Sequence, residues 1–565
     1  MMASLPPGLI LVLGAFVLPF LKGRVLQSAL LLLPALSFWH LLQYWGDGCS
    51  MGLELFGAQL ELVRVDRLSL VWGYVFHIAA FLGALFALQV KSRLEHTAAL
   101  SYAGAAIAAV FAGDLVTLFV YWELTAVTSV FLLWAPGGEK RLRCGMRYLI
   151  IQVMSGVLLL AGAVLQYQST GDLAFERMEL GSPASWCIFF SFGIKAAFPL
   201  LHNWLQDAYP QASPSGTVFL SAFTTKLAIY ALARGFAGTD CLIWIGATMT
   251  VFPIFFAVIE NDLRRVLAYS LNNQLGFMVV GIGIGTELSL NGTAAHAFAH
   301  ILYKSLLFMS MGAVLTRTGT TKASELGGLY KSMPLTALFC VIGAMSISAF
   351  PLFSGFVSKS LILSAAGEGG LMLTYIVLIF ASAGVVDHSG IKVPFFSFFA
   401  HDQGWKVKEA PWNMLVAMGI AAFICLLLGI APGLLYRILP YEVDYAPYTM
   451  AHVISQLELL LFAALAFWVL VKIKVYPAEL RSTNLDFDWT YRKLGPALVG
   501  RARKFIAEIH AAVLDIVFGL LHGGHTLVLR LCGPGGFFSR TWATSGSVLW
   551  IAIVLAAFLV IYLAA

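Results

Sequence analysis

Seven ionisable side chains stand inside long apolar runs of this sequence: Glu123, Lys195, Lys226, His296, His300, Lys304 and Lys359. Holding a charge in lipid costs at least about 2.5 to 3.5 kcal/mol unless protein or water compensates it. Glu123, in Leu118-Phe-Val-Tyr-Trp-Glu-Leu-Thr125, must therefore be protonated, hydrated or paired with a cation. Lys195 lies in Phe192-Gly-Ile-Lys-Ala-Ala-Phe-Pro199, where Pro199 cannot donate to the carbonyl of residue 195, so a helix break is expected beside the lysine. Lys226 falls near the middle of its run. Burial disfavours an ammonium whereas a nearby carboxylate favours it, so a buried lysine with a switchable partner can take up and release a proton near neutral pH. His296, His300 and Lys304 follow one another at four-residue steps; each step turns about 40° and rises about 6 Å, giving a polar ladder on one helix face with proton-relay spacing where waters bridge. The same H-x-x-x-H spacing could hold a metal only with a third ligand, and no acidic or cysteine partner lies nearby in sequence. Hydrogen-bonded packing histidines are the plain alternative. Lys359 closes Ser348-Ala-Phe-Pro-Leu-Phe-Ser-Gly-Phe-Val-Ser-Lys359, where Pro351 and Gly355 predict a second broken helix. His202, Asp207, Lys392 and Glu458 are accessory candidates.

The elements that must position these residues follow from composition. Of 565 residues, 60% are hydrophobic and only 11% charged, against about 25% in soluble proteins, which excludes an ordinary soluble enzyme. Runs bounded by Gly, Pro or charge predict an all-α polytopic membrane protein with about sixteen spans, near 5–21, 26–45, 65–90, 97–113, 114–136, 147–167, 184–209, 214–236, 240–259, 264–286, 291–316, 333–365, 370–388, 411–433, 449–472 and 547–564. The first run lacks a basic lead-in and a small-residue cleavage site and reads as a retained helix, not a signal peptide. Alternate connections are basic: Lys22 and Arg24, Lys91 and Arg93, Lys140 to Arg143, Arg264 and Arg265, Arg317 to Lys331, and Lys406 and Lys408. The others carry Asp172, Glu176 and Glu179, Glu287, Glu368, and Glu442 and Asp444. The positive-inside rule puts the basic set in the cytoplasm and both termini on the opposite side of a cell inner membrane. The net charge of +6 is thus assigned to lipid and topology and not to nucleic acid. Seven scattered cysteines without a C-x-x-C pair indicate packing, not a disulfide frame, zinc site or iron–sulfur cluster. No metal and no cofactor is expected.

Phe-Pro-Leu occurs twice beside an intramembrane lysine, at Phe198 to Leu200 and Phe350 to Leu352. The two sites lie an odd number of spans apart, so a repeat of 97–236 in 240–388 would be inverted, as in secondary transporters. The expected organisation is N-terminal helices in 1–96, two half-channels in 97–236 and 240–388, further helices in 389–472, an amphipathic segment in 473–546 and a last helix in 547–565. Within that segment, Arg501-Ala-Arg-Lys504, Glu508, His510 and Asp515 interleave with apolar residues every three to four positions. It reads as a helix too polar to span, either a surface anchor or a lateral strut along neighbouring subunits.

Together these residues resemble the antiporter-like membrane subunits shared by Mrp-type sodium/proton antiporters, respiratory complex I and membrane-bound hydrogenases. The matching stretches are Tyr121-Trp-Glu123; Gly193-Ile-Lys-Ala with Phe198-Pro-Leu and Trp204-Leu-Gln-Asp-Ala208; Thr225-Lys226; Asp262-Leu-Arg-Arg-Val-Leu-Ala-Tyr-Ser270 with Gln274-Leu-Gly-Phe277; His296 to Lys304; and Ser354-Gly-Phe-Val-Ser-Lys359. The resemblance implies paired inverted five-helix bundles about a hydrophilic axis. It implies Glu123 as partner of Lys195, Lys226 leading to the midpoint, His300 and Lys304 carrying protons across, and Lys359 loading or discharging the far half. Gln206 and Tyr209 depart from residues common in the family. The ladder and Lys359 resemble the Mrp and complex I L-type branches more than the M-type, and the long insert resembles the L-type lateral helix, while His388-Ser-Gly-Ile-Lys-Val-Pro-Phe-Phe396 and Pro411-Trp-Asn-Met-Leu415 resemble the Mrp D-like branch.

The expectation is a proton-translocating subunit of a multisubunit sodium/proton antiporter, partnered by homologous and small hydrophobic membrane subunits. The alternatives are the same module in complex I or a hydrogenase, holding no redox or hydrolytic site itself, and a membrane subunit of an inorganic-carbon uptake complex. Sodium favours several oxygen ligands, whereas the axis offers lysines and histidines, which favours protons in this chain.

Overall fold

Lipid leaves the backbone no external partner, so apolar runs must close their hydrogen bonds as helices. The computed structural model describes residues 5–43, 50–55, 57–477, 479–480, 484–541 and 543–564. It divides into two units, Met1–Asn484 and Leu485–Ala565. Among the described residues, twelve helices are long and apolar enough to cross a membrane, and the chain is a multi-pass membrane protein.

The first unit opens with α1 (Leu9–Ala15) and α2 (Gly23–Leu42), then α3 (Arg67–Phe86), α4 (Arg93–Val110), α5 (Leu115–Trp134) and α6 (Glu139–Thr170). The expected 184–209 run is interrupted: α7 (Pro183–Lys195) stops at the lysine and α8 (Asn203–Ala208) resumes beyond it. The expected 214–236 run is also two helices, α9 (Pro214–Ala222) and α10 (Thr224–Gly235), with Phe223 at φ −104°, ψ −68°. Then follow α11 (Cys241–Ile259), α12 (Leu263–Ile284) and α13 (Glu287–Thr318). The 333–365 run is α14 (Pro334–Ile347) and α15 (Ser354–Glu368). After α16 (Met372–Val385) the helix widens to π geometry at Val386–Ile391 and Phe395–Phe399, around α17 (Lys392–Pro394). Next come α18 (Trp412–Ile430), α19 (Gly433–Tyr436) and α20 (Met450–Lys472).

One element falls outside the all-helical expectation. Strands β1 (Ser50–Leu55) and β2 (Ala58–Arg64) pair antiparallel, with Leu53 opposite Leu60. Leu-Glu-Leu facing Gln-Leu-Glu-Leu-Val has the period of two that a strand requires. Cys49, read with the packing cysteines, lies outside the described residues.

Loop contacts sort the connections into two ends. At one end Arg93 donates to Pro19 O, Arg141 Nε to Gln211 O at 3.0 Å, Arg265 Nε to Gln206 O at 3.3 Å, and Arg317 Nε to Glu409 O at 2.9 Å. All the connections read as basic gather there. At the other end Gly113 N bonds Glu61 O, Phe175 N bonds Gly113 O, Gly238 N bonds Ile282 O, and Asn291 Nδ2 reaches Tyr441 O. There Asp66 caps α3 and meets Arg234 at 2.6 Å. Its partial burial works against the carboxylate, but Arg234 and the amide of Ser69 outweigh that and hold the carboxyl below its usual range.

In the second unit α21 (Gly495–Cys532) is continuous for 38 residues and α22 (Thr544–Ala564) carries no charged residue. With its π turn at Thr490–Leu494, the longer helix is apolar enough over one window to count among the twelve, although the sequence reads it as too polar to span. At 1.5 Å per residue its 43 residues extend about 64 Å, roughly twice a hydrocarbon core.

Candidate functional site

Both Phe-Pro-Leu segments fold the same way. Ala197 and Leu200 take positive φ of 61° and 70°, Ala349 and Leu352 of 56° and 73°. Phe198 N bonds Gly193 O and Phe350 N bonds Met345 O, each at 3.0 Å; these six-residue closures end the helix four residues before proline. The first break runs from the acidic-loop end to the basic-loop end and the second runs the opposite way. Gly355 lies in the first turn of α15, not in the break; a Cβ there would overlap the carbonyl oxygen of Ser346, so glycine permits α15 to close on α14.

Each break holds an ammonium. Lys195 is fully buried and donates to Trp122 O at 2.6 Å and Thr125 Oγ1 at 3.1 Å, with its Nζ 4.4 Å from the centre of the Trp122 ring. Lys359 donates to Ile347 O and Ser382 Oγ, both at 3.3 Å. Ile347 stands four residues before its proline, as Lys195 does. Lys226 donates to Ser221 O at 2.5 Å, a carbonyl left free by the break at Phe223.

Glu123 is half-buried, within electrostatic reach of Lys195 but not ion-paired with it at contact distance. Its Oε1 is buried without a hydrogen-bond partner among the described residues, against Gly156 of α6. The ammonium meets the neighbouring Trp122 carbonyl instead; Trp122 Nε1 donates to Ser155 Oγ at 2.9 Å, and that hydroxyl donates to Ser191 O at 2.8 Å.

The ladder on α13 is buried throughout. His296 meets Ser358 Oγ at 3.1 Å and Gln274 Oε1 at 3.2 Å, and Tyr303 OH donates to that same Gln274 oxygen at 3.1 Å. The His296 and His300 rings stack with centroids 6.1 Å apart. Both ring nitrogens of His300 and the Nζ of Lys304 lack partners among the described residues. Such buried groups need ordered water. Lys226, Lys304, His300, His296 and Lys359 lie within electrostatic reach of one another in that order.

The accessory candidates sit apart from this row. His202 lies in the first break with its ring 4.5 Å from that of Phe252. Asp207 forms an ion pair with Arg147 at 2.6 Å near the basic-loop end. Lys392 caps α11 through Ala257 O, Val258 O and Glu260 O at 3.2, 2.6 and 2.8 Å and pairs with Glu479 at 2.9 Å. Glu458 lies on an exposed face of α20. Counting only charges passes over Gln274, Tyr303 and Ser358, and His388, buried in the π turn within reach of Lys304, Lys359 and Lys392. Asn272-Asn273-Gln274 inside an apolar run is the signal that could have found them.

Residues 112–385, which hold both breaks and the ladder, match the family model described as NADH:quinone oxidoreductase/Mrp antiporter, TM. That stretch, just under half of the chain, belongs to that family. The chain is 33% identical over 274 residues to the D-type subunit of the Na(+)/H(+) antiporter of Alkalihalophilus pseudofirmus, covering 45% of this chain and 55% of that protein. It is 27% identical over 422 residues to hydrogenase-4 component B of Escherichia coli, covering 66% and 63%. The chain thus spans between 55% and 63% of the length of these curated relatives. In fold it superposes on a chain of the Mrp complex from Dietzia sp. DQ12-45-1b with a TM-score of 0.71 and 21% identity, covering 80% of this chain and 99% of that one. It is an antiporter-like membrane subunit of the Mrp, complex I and hydrogenase group.

Proposed function

We propose that this chain is the proton-translocating subunit of a multisubunit monovalent cation/proton antiporter of Mrp type. The supporting observation is the buried row of Lys195, Lys226, Lys304, His300, His296 and Lys359, with orphaned nitrogens at its centre between two inverted helix breaks. Groups that are buried, titratable and unsatisfied at mid-membrane pass protons through bridging water. Glu123 lies in the same field as Lys195, so a movement of its carboxylate changes the potential at that ammonium. Moving one charge against 100 mV takes about 2.3 kcal/mol, which a change of about fiftyfold in proton affinity supplies.

The partners are then homologous antiporter-like subunits and small hydrophobic subunits in a cell inner membrane, with both termini on the non-cytoplasmic side. Lys195→Ala or Glu123→Ala is expected to abolish ΔpH-driven transport in everted vesicles while the assembled complex stays at the parent level. Unchanged transport would overturn the assignment.

One observation favours a second reading, a proton-conducting subunit of a redox-driven complex. The match to hydrogenase-4 component B runs over 66% of this chain, against 45% for the D-type antiporter protein. Co-purifying subunits separate the two: small hydrophobic proteins mean antiporter, and iron–sulfur proteins mean a redox complex.

A further inference from the structure

The row has one gap. Lys195 and Lys226 share no contact, and their terminal nitrogens are held in different helix breaks. Helix α6 lies across that gap. Gly156 backs Glu123, Ser155 holds Trp122, and Tyr148 OH meets Ser129 Oγ at 2.9 Å. These three antiparallel contacts fix the register of α6 on α5, and they set Gln152 level with Thr125 and Ala126. Thr125 is the residue whose hydroxyl accepts from Lys195. Gln152 is fully buried, and both its amide oxygen and its amide nitrogen lack a partner among the described residues. An orphaned primary amide in a sealed interior is a water-holding group, since leaving both ends dry costs more than an apolar side chain of the same shape. One turn away, Tyr148 OH faces the side chain of Thr224, whose hydroxyl pairs with Tyr102 OH at 2.6 Å. Thr224 borders the same break at Phe223 that frees the carbonyl holding Lys226.

We propose that Gln152 and Tyr148 of α6 carry the proton from Lys195 to Lys226, Gln152 by holding a bridging water beside Thr125 and Tyr148 by relaying between Ser129 and Thr224. The ammonium of Lys195 gives one proton to that water, and the water gives another to the hydroxyl chain. Each hydroxyl accepts one proton and passes on its own, and the neutral amine of Lys226 takes the last, so no tyrosinate forms. The hydroxyls then turn back to reset the chain.

This relay rests on the proposed proton pathway and is tested in the assembled complex. Gln152→Leu keeps the volume and removes the orphaned amide. It is expected to cut ΔpH-driven transport in everted vesicles at least tenfold while the complex becomes no less heat-stable in detergent. Tyr148→Phe, which loses only a hydroxyl, is expected to do the same. A purely structural role would lower stability and transport together, and that result would overturn the relay. Parent-level transport in both variants, with Lys195→Ala and Lys226→Ala inactive, would also overturn it and leave the pathway standing. Full transport in the two lysine variants would overturn the pathway itself.

Discussion

Lys195 and Glu123 are neighbours in one field without a hydrogen bond between them, and a glycine is responsible for where the carboxylate stands. A Cβ on Gly156 would overlap Oε1 and Cδ of Glu123 and come within 3.0 Å of Cγ. All three atoms belong to a flexible side chain, so alanine should leave the helices in place and displace only the carboxylate. Alanine even favours a helix over glycine by about 1 kcal/mol. Misplacement of a reacting group by 1 Å can cost about a hundredfold. Gly156→Ala is therefore expected to lower vesicle transport by at least tenfold with complex levels unchanged. The loss should shrink to less than about twofold in a Glu123→Asp background, whose shorter carboxylate clears the methyl. An equal loss in both backgrounds would show that alanine acts on packing. The charged residues are legible in the sequence because a charge in an apolar run needs an explanation. The glycine, the glutamine at 152 and the carbonyls that take the ammonium groups are not, since neutral and backbone groups acquire their meaning only from the helix packed opposite.

At the scale of elements, proline makes two breaks readable and its absence hides the third. Phe198-Pro199 and Phe350-Pro351 each remove a donor from a helix, and the chain answers with the same pair of left-handed residues in both places. The break at Phe223 has no proline or glycine beside it. There Tyr102 OH accepts the amide of Thr224 at 2.9 Å, so a tertiary contact opens the helix and the local sequence does not. The hairpin escapes a sequence reading for a different reason: two short alternating stretches between long apolar runs look like an ordinary connection between spans. Close approach just after the second break, in the first turn of α15, gives a test of how the halves are built. At Gly355 the atom facing a new Cβ is the backbone oxygen of Ser346, which cannot rotate away, whereas Gly433 has open space around it. Gly355→Ala is expected to cost about 1 to 3 kcal/mol, the usual range for overpacking, and to lower the melting temperature in detergent. Gly433→Ala should stay within about 0.5 kcal/mol of the parent. Equal melting curves for the two variants would mean that α15 closes on α14 less tightly than this contact requires.

Across the whole molecule, the scarcity of charge makes topology a matter of a few loops. The connections rich in Lys and Arg share one end through contacts such as Arg141 to Gln211 and Lys331 to Asp402, and the acidic ones share the other through Arg64 to Glu176. The alternation holds from the first unit's opening helices to α20, so every connection has a defined side once one is fixed. On the positive-inside bias the basic end is expected in the cytoplasm. Lys140, Lys408, Glu176 and Glu442 are all exposed, two at each end. In a cysteine-free background, Lys140→Cys and Lys408→Cys are expected to react with a membrane-impermeant maleimide in everted vesicles only, and Glu176→Cys and Glu442→Cys in intact cells only. Labelling of all four from the reversed sides would break the charge argument and leave the fold untouched. Labelling of Lys140→Cys and Lys408→Cys from opposite sides would mean that an odd number of crossings separates them, and the inverted relation of the two breaks would fall with it.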